Sequence, residues 1–381
     1  MRLFASTLAL SLALISAGCS TTDVDEGPLP DPPPTDASLL PLLEGDFTVG
    51  TTLYGSADLS ALDARGSVVL GTAIAQGLTG FTYYVDWFDL EPEPGRYTLD
   101  EFTETLRALQ ERGVQTFVNL TVGDIEEYNL PEDLSDGQAG LGDGVSLDDP
   151  ALIERFGQIL DRIVPIALEH DVFFLGVGNE IDARFDGEFP DELEPYVRFT
   201  EAARERVHAI EPQLAVGVAL TTNAIRNRTR TFRELRAVSD IIPFNYGPIQ
   251  PDFFVEDSSD VRADFEEVLA GYGSEGPIMI QELTCPSATS MRASEEWQRD
   301  CFERLFEVLE ERPQVRFASI FTYQDFDETT CNIVRDFFFG GELDDLPQEF
   351  AQRLADYTCE LGVVRADGTP KPAWQVILDE L

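Results

Sequence analysis

Two glutamates in this 381-residue chain stand where side chains can do chemistry. Glu180 closes the apolar run FFLGVGNE (173–180), and Glu282 closes PIMIQE (277–282). An amide residue, Asn179 or Gln281, directly precedes each carboxylate. A charge at the mouth of a buried strand must be paired or used, because burying it alone is costly. Other apolar runs end in equally useful groups. Tyr83, Tyr84, Asp86 and Trp87 end GFTYYVDW, Asn245 and Tyr246 end DIIPFNY, and Tyr323 ends VRFASIFTY. Carboxylates for bond cleavage, amides for hydroxyls and rings for pyranose faces are the equipment of a sugar-cleaving cleft.

Other chemistries have little to work with. The chain holds two histidines, His170 and His208, neither near a serine or cysteine in an elbow context, so a Ser-His-Asp device or a histidine-bound metal has no parts. There is no CxxC pair, and neither a metal nor an organic cofactor is expected. The balance of 26 basic against 71 acidic residues, a net charge of −45, repels phosphate backbones and excludes nucleic acid as a partner. Solubility in a salty or variable exterior accounts for the acidity.

The elements that must position these residues follow from periodicity. Eight β-rich runs are expected at 47–55, 80–87, 114–122, 172–179, 214–220, 240–246, 277–282 and 315–323. Amphipathic helical stretches separate them, at 99–113, 150–170, 192–212, 259–273 and 294–312, and another follows at 348–360. This alternation predicts a single (β/α)₈ barrel over residues 46–381. A doubly wound open sheet is the competing arrangement, but no glycine-rich phosphate loop follows the first strand. In a barrel, strands four and seven lie across the opening from each other, so Glu180 and Glu282 can face. A carboxyl separation of about 5–5.5 Å would imply retention of configuration, and about 6.5–9.5 Å inversion.

These residues carry a resemblance. GVGNEID at strand four and PIMIQE at strand seven look like the paired signatures of clan A retaining glycoside hydrolases. DWFDLEPEPGRYTLDEF (86–102) resembles the clan's strand-two passage, and GVVRADGTPKPAWQVI (362–377) is similar to its common closing segment. The resemblance implies that Glu180 is the general acid/base, that Asn179 contacts the sugar 2-hydroxyl, and that Glu282 is the nucleophile. It also implies that Tyr246 hydrogen-bonds the nucleophile. Strand ends closest to these belong to endo-β-1,3-glucanases, with galactanase-type barrels similar. Thr284 and Cys285 stand where the glucanase pattern has glycine and an aromatic residue. Many clan members put a tryptophan beneath the sugar at strand eight, where this chain offers Phe321 or Tyr323. Trp87 reads equally as core or as sugar platform. Asp86 and Asp325 read as partners for rim cations or as substrate contacts, and Arg184 as a partner for either glutamate or for Asp182.

Residues 1–18, with Arg2, an apolar stretch and Ser16-Ala17-Gly18, read as an export signal. Cys19 resembles the lipid-modified cysteine of bacterial lipoproteins, plain secretion being the alternative. Residues 19–45, rich in Pro, Asp and Ser, read as a tether. The expected location is the bacterial cell envelope, at the outer membrane or cell surface. Membrane contact is expected through that anchor alone, the body being a monomer that meets a carbohydrate. Cys285, Cys301, Cys331 and Cys359 form an even set in an exported chain, so two disulfides with three possible connectivities are expected. A carbohydrate-binding envelope lipoprotein that kept the barrel and lost turnover is the alternative to an enzyme.

Overall fold

Long apolar runs with little alternation become strands buried on both faces, and that is how this sheet is built. The structure, a computed structural model, describes residues 40–43, 45, 47–52, 64–137, 140–273, 276–339 and 347–381. The expected export signal, Cys19 and residues 20–39 of the expected tether lie outside them. Strands β1 (Thr48–Thr51), β2 (Gly80–Val85), β3 (Gln115–Leu120) and β4 (Val172–Asn179) are followed by β5 (Ala215–Thr221), β6 (Phe244–Tyr246), β7 (Ile278–Leu283) and β8 (Val315–Ile320). Each pairs in parallel with the next, and β8 pairs with β1, which closes the barrel.

Helices α1 (Ala64–Ala75), α2 (Asp100–Gln110), α3 (Pro150–Glu169), α4 (Leu193–Ile210), α5 (Arg230–Arg236), α6 (Val261–Tyr272) and α7 (Glu295–Glu310) follow successive strands. Their starts are marked by ordinary caps. Asp149 accepts from the Ala151 amide at 2.7 Å ahead of Pro150, and Ser294 accepts from the Trp297 amide at 3.1 Å. After β8 the chain makes an excursion through α8 (Glu328–Phe339) and α9 (Gln348–Cys359) before the last helix, α10 (Pro372–Asp379). Among the described residues no helix is long and apolar enough to cross a membrane.

The floor of the barrel is a separate apolar plug. Phe117, Phe173, Phe174, Met279 and Phe317 fill it from four strands, and Leu40 and Leu43 cap it from outside. Gln115 Nε2 donates to the Leu42 carbonyl at 2.9 Å. Leu40 and Leu43, at the end of the tether expected over 19–45, thus cover apolar surface at the barrel floor.

Late loops are fixed by covalent and ionic links. Of the three possible pairings, the structure has Cys285–Cys301, joining the segment after β7 to α7, and Cys331–Cys359, joining α8 to α9. Lys371, the chain's single lysine, is buried; its Nζ donates to Ser287 Oγ at 2.8 Å and reaches the Asp325 carboxylate at 2.7–2.8 Å. Asp325 is thus a structural partner of Lys371. Burial pushes its carboxyl up to about 6, against the pull of Lys371. Removing one partner strands the other charge inside the protein. Lys371→Met should lower unfolding stability in urea by about 3–5 kcal/mol, and adding Asp325→Asn should recover much of the loss. Equal stability of Lys371→Met and wild type would show that the pair contributes nothing.

Candidate active site

A strand presents alternate side chains to alternate faces, so two consecutive residues at a strand end should not both face the cleft. At the two glutamates the backbone departs from that rule in two ways. On β4, Gly178 has φ 156° and Glu180 has φ 49°, the left-handed region that a side-chain-bearing residue enters at a cost of about 1–2 kcal/mol. The turn is held by the Glu180 amide, which donates to the Ala219 carbonyl at 2.7 Å. Gly178 is also required for space, since a Cβ there would lie 2.2 Å from the Tyr196 hydroxyl, which donates to the Val177 carbonyl. On β7 the register against β6 slips between Ile280 and Glu282, so Gln281 is an extra residue and the strand is bulged. The result is the same on both sides: an amide and a carboxylate point inward together.

The amides form a buried layer beneath the carboxylates. Gln281 donates to Asn179 Oδ1 at 2.7 Å and to Asn245 Oδ1 at 3.3 Å, and accepts from Asn119 Nδ2 at 2.7 Å. Asn245 Nδ2 donates to Asn179 Oδ1 at 3.2 Å and to Glu180 Oε1 at 3.0 Å. Asn179 Nδ2 donates to Asp124 Oδ1 at 2.9 Å. Asp124 comes from a two-residue antiparallel ladder after β3, in which it pairs with Glu127, and on its other side it pairs in parallel with Asn179. Strands β3, β4, β6 and β7 are thereby tied at one level by side chains as well as by backbone.

Above this layer stand Glu180, Glu282 and Tyr84, all partly exposed. The Tyr84 hydroxyl donates to Glu282 Oε1 at 2.5 Å. Burial pushes both glutamates well above the ordinary carboxylate range, and repulsion from Glu180 raises Glu282 further. The hydrogen bond from Asn245 pulls Glu180 down, and that from Tyr84 pulls Glu282 down. Asp124 is likewise raised, first by burial, then by the charges of Asp86, Glu180 and Glu282. Two buried carboxylates this close hold one proton between them more readily than none or two.

Several expected contacts fall elsewhere. Tyr246 does not meet Glu282. Because Asn245 faces inward, Tyr246 faces out, where its hydroxyl donates to Asp264 at 2.9 Å on α6 and its ring packs on Phe265. The hydrogen bond to Glu282 comes from Tyr84 instead. Trp87 is fully buried between Phe156 and Phe199, and its indole N–H donates to Glu91 at 3.0 Å, so it is core and not a sugar platform. Glu91, from the EPEPG turn, also accepts from the Gly95 amide at 2.6 Å and from Arg155 at 3.0 Å. Tyr323 is buried edge-on against Trp374 and donates to Gln76 at 3.0 Å, so it too lies behind the cleft wall.

Asp86 is buried and accepts from Thr121 and, at 3.0 Å, from Asn129, bracing the loop after β3; burial pushes it up to about 7. Asp182 accepts from the amide and hydroxyl of Thr221 at 2.9 and 2.6 Å. Arg184 pairs with Glu192 at 2.7 Å and stacks on Phe189, away from both glutamates. Tyr84 carried its signal in the sequence. It pairs in register with Asn119, so the same strand parity that turns Asn119 inward turns Tyr84 inward.

No family profile and no curated protein matches this sequence. Among solved structures it is similar to the exo-β-1,4-mannosidase Op5Man5 from Opitutaceae bacterium strain TAV5, with a TM-score of 0.65 and 17% identity over 88% of this chain and 59% of that one. It is also similar to a GH5_18 protein from Bifidobacterium longum subsp. longum, with a TM-score of 0.64 and 12% identity over 88% and 79%. Xylanase 10B from Thermotoga maritima matches with a TM-score of 0.57 and 14% identity over 90% and 98%. The chain spans about three fifths of the length of the Opitutaceae enzyme. At these identities the likeness is one of architecture, and the fold is the (β/α)₈ barrel found in clan A glycoside hydrolases.

Proposed function

We propose that this protein is a retaining glycoside hydrolase that cleaves a β-linked glycan by double displacement, with Glu282 as nucleophile and Glu180 as general acid/base. The observation that carries the reading is the asymmetry of the pair. Two carboxylates from facing strands share one buried site, yet one of them alone receives a phenolic hydrogen bond. That bond favours the ionised form of Glu282 against burial and the repulsion of Glu180, which raise it, and the reading assigns the acid's proton to Glu180.

The chemistry follows from this distribution. Ionised Glu282 attacks the anomeric carbon while Glu180 gives its proton to the departing glycosidic oxygen. Forming the glycosyl-enzyme removes the negative charge of Glu282. The negative charge facing Glu180 is then gone, and Glu180, ionised by the transfer of its proton, acts as base toward water. Asn179, with one N–H committed to Asp124, has a second for a sugar hydroxyl.

The hydrogen bonds that offset charge on the two glutamates come from an amide and a phenol, not from a cation. A neutral β-glycan suits such a cleft better than a uronic or sulfated one. The strand-end motifs favour a β-glucan or β-galactan. The β-1,4-mannosidase and xylanase among the structural neighbours add β-1,4-mannan and xylan to the candidates. Read as an export signal and a lipid-modified cysteine, residues 1–18 and Cys19 support an activity at the bacterial cell envelope.

Glu282→Gln should reduce kcat/KM on the order of 10⁴-fold or more across a panel of β-1,3-glucan, β-1,4-mannan, xylan and galactan, with folding intact by circular dichroism. Glu180→Gln should lose far more on these glycans than on a 2,4-dinitrophenyl β-glycoside, whose leaving group needs no proton. Equal losses on both would remove Glu180 as the acid. Binding without hydrolysis by the wild type would establish a carbohydrate-binding protein in place of an enzyme, and an inverted first product anomer by NMR would remove Glu282 as nucleophile.

Tyr84→Phe tests the asymmetry through pH. Losing the hydrogen bond raises the Glu282 pKa, so the acid limb of kcat/KM should move to higher pH, with a loss at the optimum of about 10- to 100-fold. An acid limb that stays in place would show that Tyr84 does not set the ionisation of Glu282.

A further inference from the structure

The excursion after β8 lies against the loops that carry the site. Its α8–α9 pair, stapled by Cys331–Cys359, shares an apolar cluster with Phe253 and Val255 from the loop after β6 and with Ala288, Met291 and Ala293 from the segment after β7. Most of α9 is consumed in that packing, Phe350, Ala351, Leu354, Ala355 and Cys359 being buried. Tyr357, two residues before the stapled helix end at Cys359, is only partly covered.

Three contacts fix where the Tyr357 ring and hydroxyl lie. The ring stands edge-on to Phe253, with centroids 5.6 Å apart and planes at 89°. Its hydroxyl donates at 3.3 Å to Thr284 Oγ1, two residues beyond Glu282. Thr284 in turn donates to the Tyr246 carbonyl at 3.2 Å, and its space exists because residue 247 is glycine, where a Cβ would lie 2.3 Å from Thr284 Oγ1. The charges of Glu282 and then Glu180 both bear on the Tyr357 hydroxyl, though burial is the larger influence raising its pKa. The hydrogen bond to Thr284 sets the Tyr357 hydroxyl beside the strand-seven end that carries Glu282.

We infer that Tyr357 is a substrate-positioning residue, its hydroxyl holding a hydroxyl group of a neutral sugar unit beside the scissile bond. The inference rests on the glycosidase reading above. With its proton committed to Thr284, the Tyr357 oxygen retains lone pairs that accept from a sugar O–H. Tyr357 takes no part in bond making. It contributes to sugar binding through a neutral hydrogen bond and through exclusion of water by its ring.

The test uses the full exported body and whichever glycan of the four-member panel the wild type cleaves, supplied as a defined oligosaccharide. Tyr357→Phe keeps the ring against Phe253 and removes the hydroxyl alone. It should raise KM about 3- to 10-fold while kcat changes less than about twofold. The same loss of affinity should appear in calorimetric titration of the oligosaccharide into Glu282→Gln with and without Tyr357→Phe. Thr284→Val should reproduce part of the KM effect, Thr284→Ser should restore it, and the Thr284→Val/Tyr357→Phe pair should be non-additive. Unchanged KM and affinity in Tyr357→Phe, with an active wild type, would overturn this inference alone. Absence of hydrolysis by the wild type on every panel member would overturn the glycosidase reading and this inference with it.

Discussion

The site depends on one constraint of β-structure: adjacent residues in a strand face opposite ways. A cleft at the end of a parallel barrel needs a carboxylate for chemistry and an amide beside it for order, and a regular strand can present only one of the two. Here β4 solves the problem with a left-handed residue at Glu180, and β7 with a bulge at Gln281. Both devices are local departures from good backbone geometry, and neither would persist unless the surroundings over-determined them. The surroundings do so through the Asn119–Gln281–Asn179–Asn245 layer, whose hydrogen bonds reach four strands.

That layer also accounts for the electrostatics. Carboxylates lifted out of water rise in pKa unless something favours their charge. The protein puts amides rather than cations against Glu180 and Asp124, and a phenol against Glu282, so charge is moderated without being neutralised. A guanidinium in the same place would favour the ionised form of both glutamates. Arg184 could have taken that part, but Glu192 and the Glu126 carbonyl engage it. The Lys371 ammonium is likewise consumed by Asp325 behind the cleft wall.

Much of this was legible in the residues, for identifiable reasons. Strand β4 spans the run expected because VFFLGVGN is apolar on both faces and bounded by His170-Asp171 and Glu180. Helices α2, α3, α4, α6 and α7 fall within a few residues of their periodic stretches. Less was legible where no apolar period exists: the short helices at 182–186 and 222–227, α5, and α8 carry too few core positions to announce themselves. Among site residues, Tyr246, Trp87 and Tyr323 were misplaced for one reason. Each follows an inward-facing position or ends a strand earlier than expected, so parity or a turn sends it into the helical layer. Parity applied strictly would have selected Tyr84. The same strictness would have rejected the pairing of Asn179 with Glu180, because the backbone turn that unites them is not written in any local propensity except Gly178.

The late disulfides fit this picture of a site ordered from above as well as below. Cys285–Cys301 starts three residues beyond Glu282 and ties the strand-seven exit to α7, while Cys331–Cys359 ties the two helices of the excursion to each other. Cross-links that close 16 and 28 residues confer moderate stability on a body with a core this large. Their positions are more telling than their energies. Both act on segments after β7 and β8 that lack a barrel strand of their own. Holding such segments still keeps the Tyr357 hydroxyl of α9 on Thr284, two residues beyond Glu282, in one fixed relation to the end of β7.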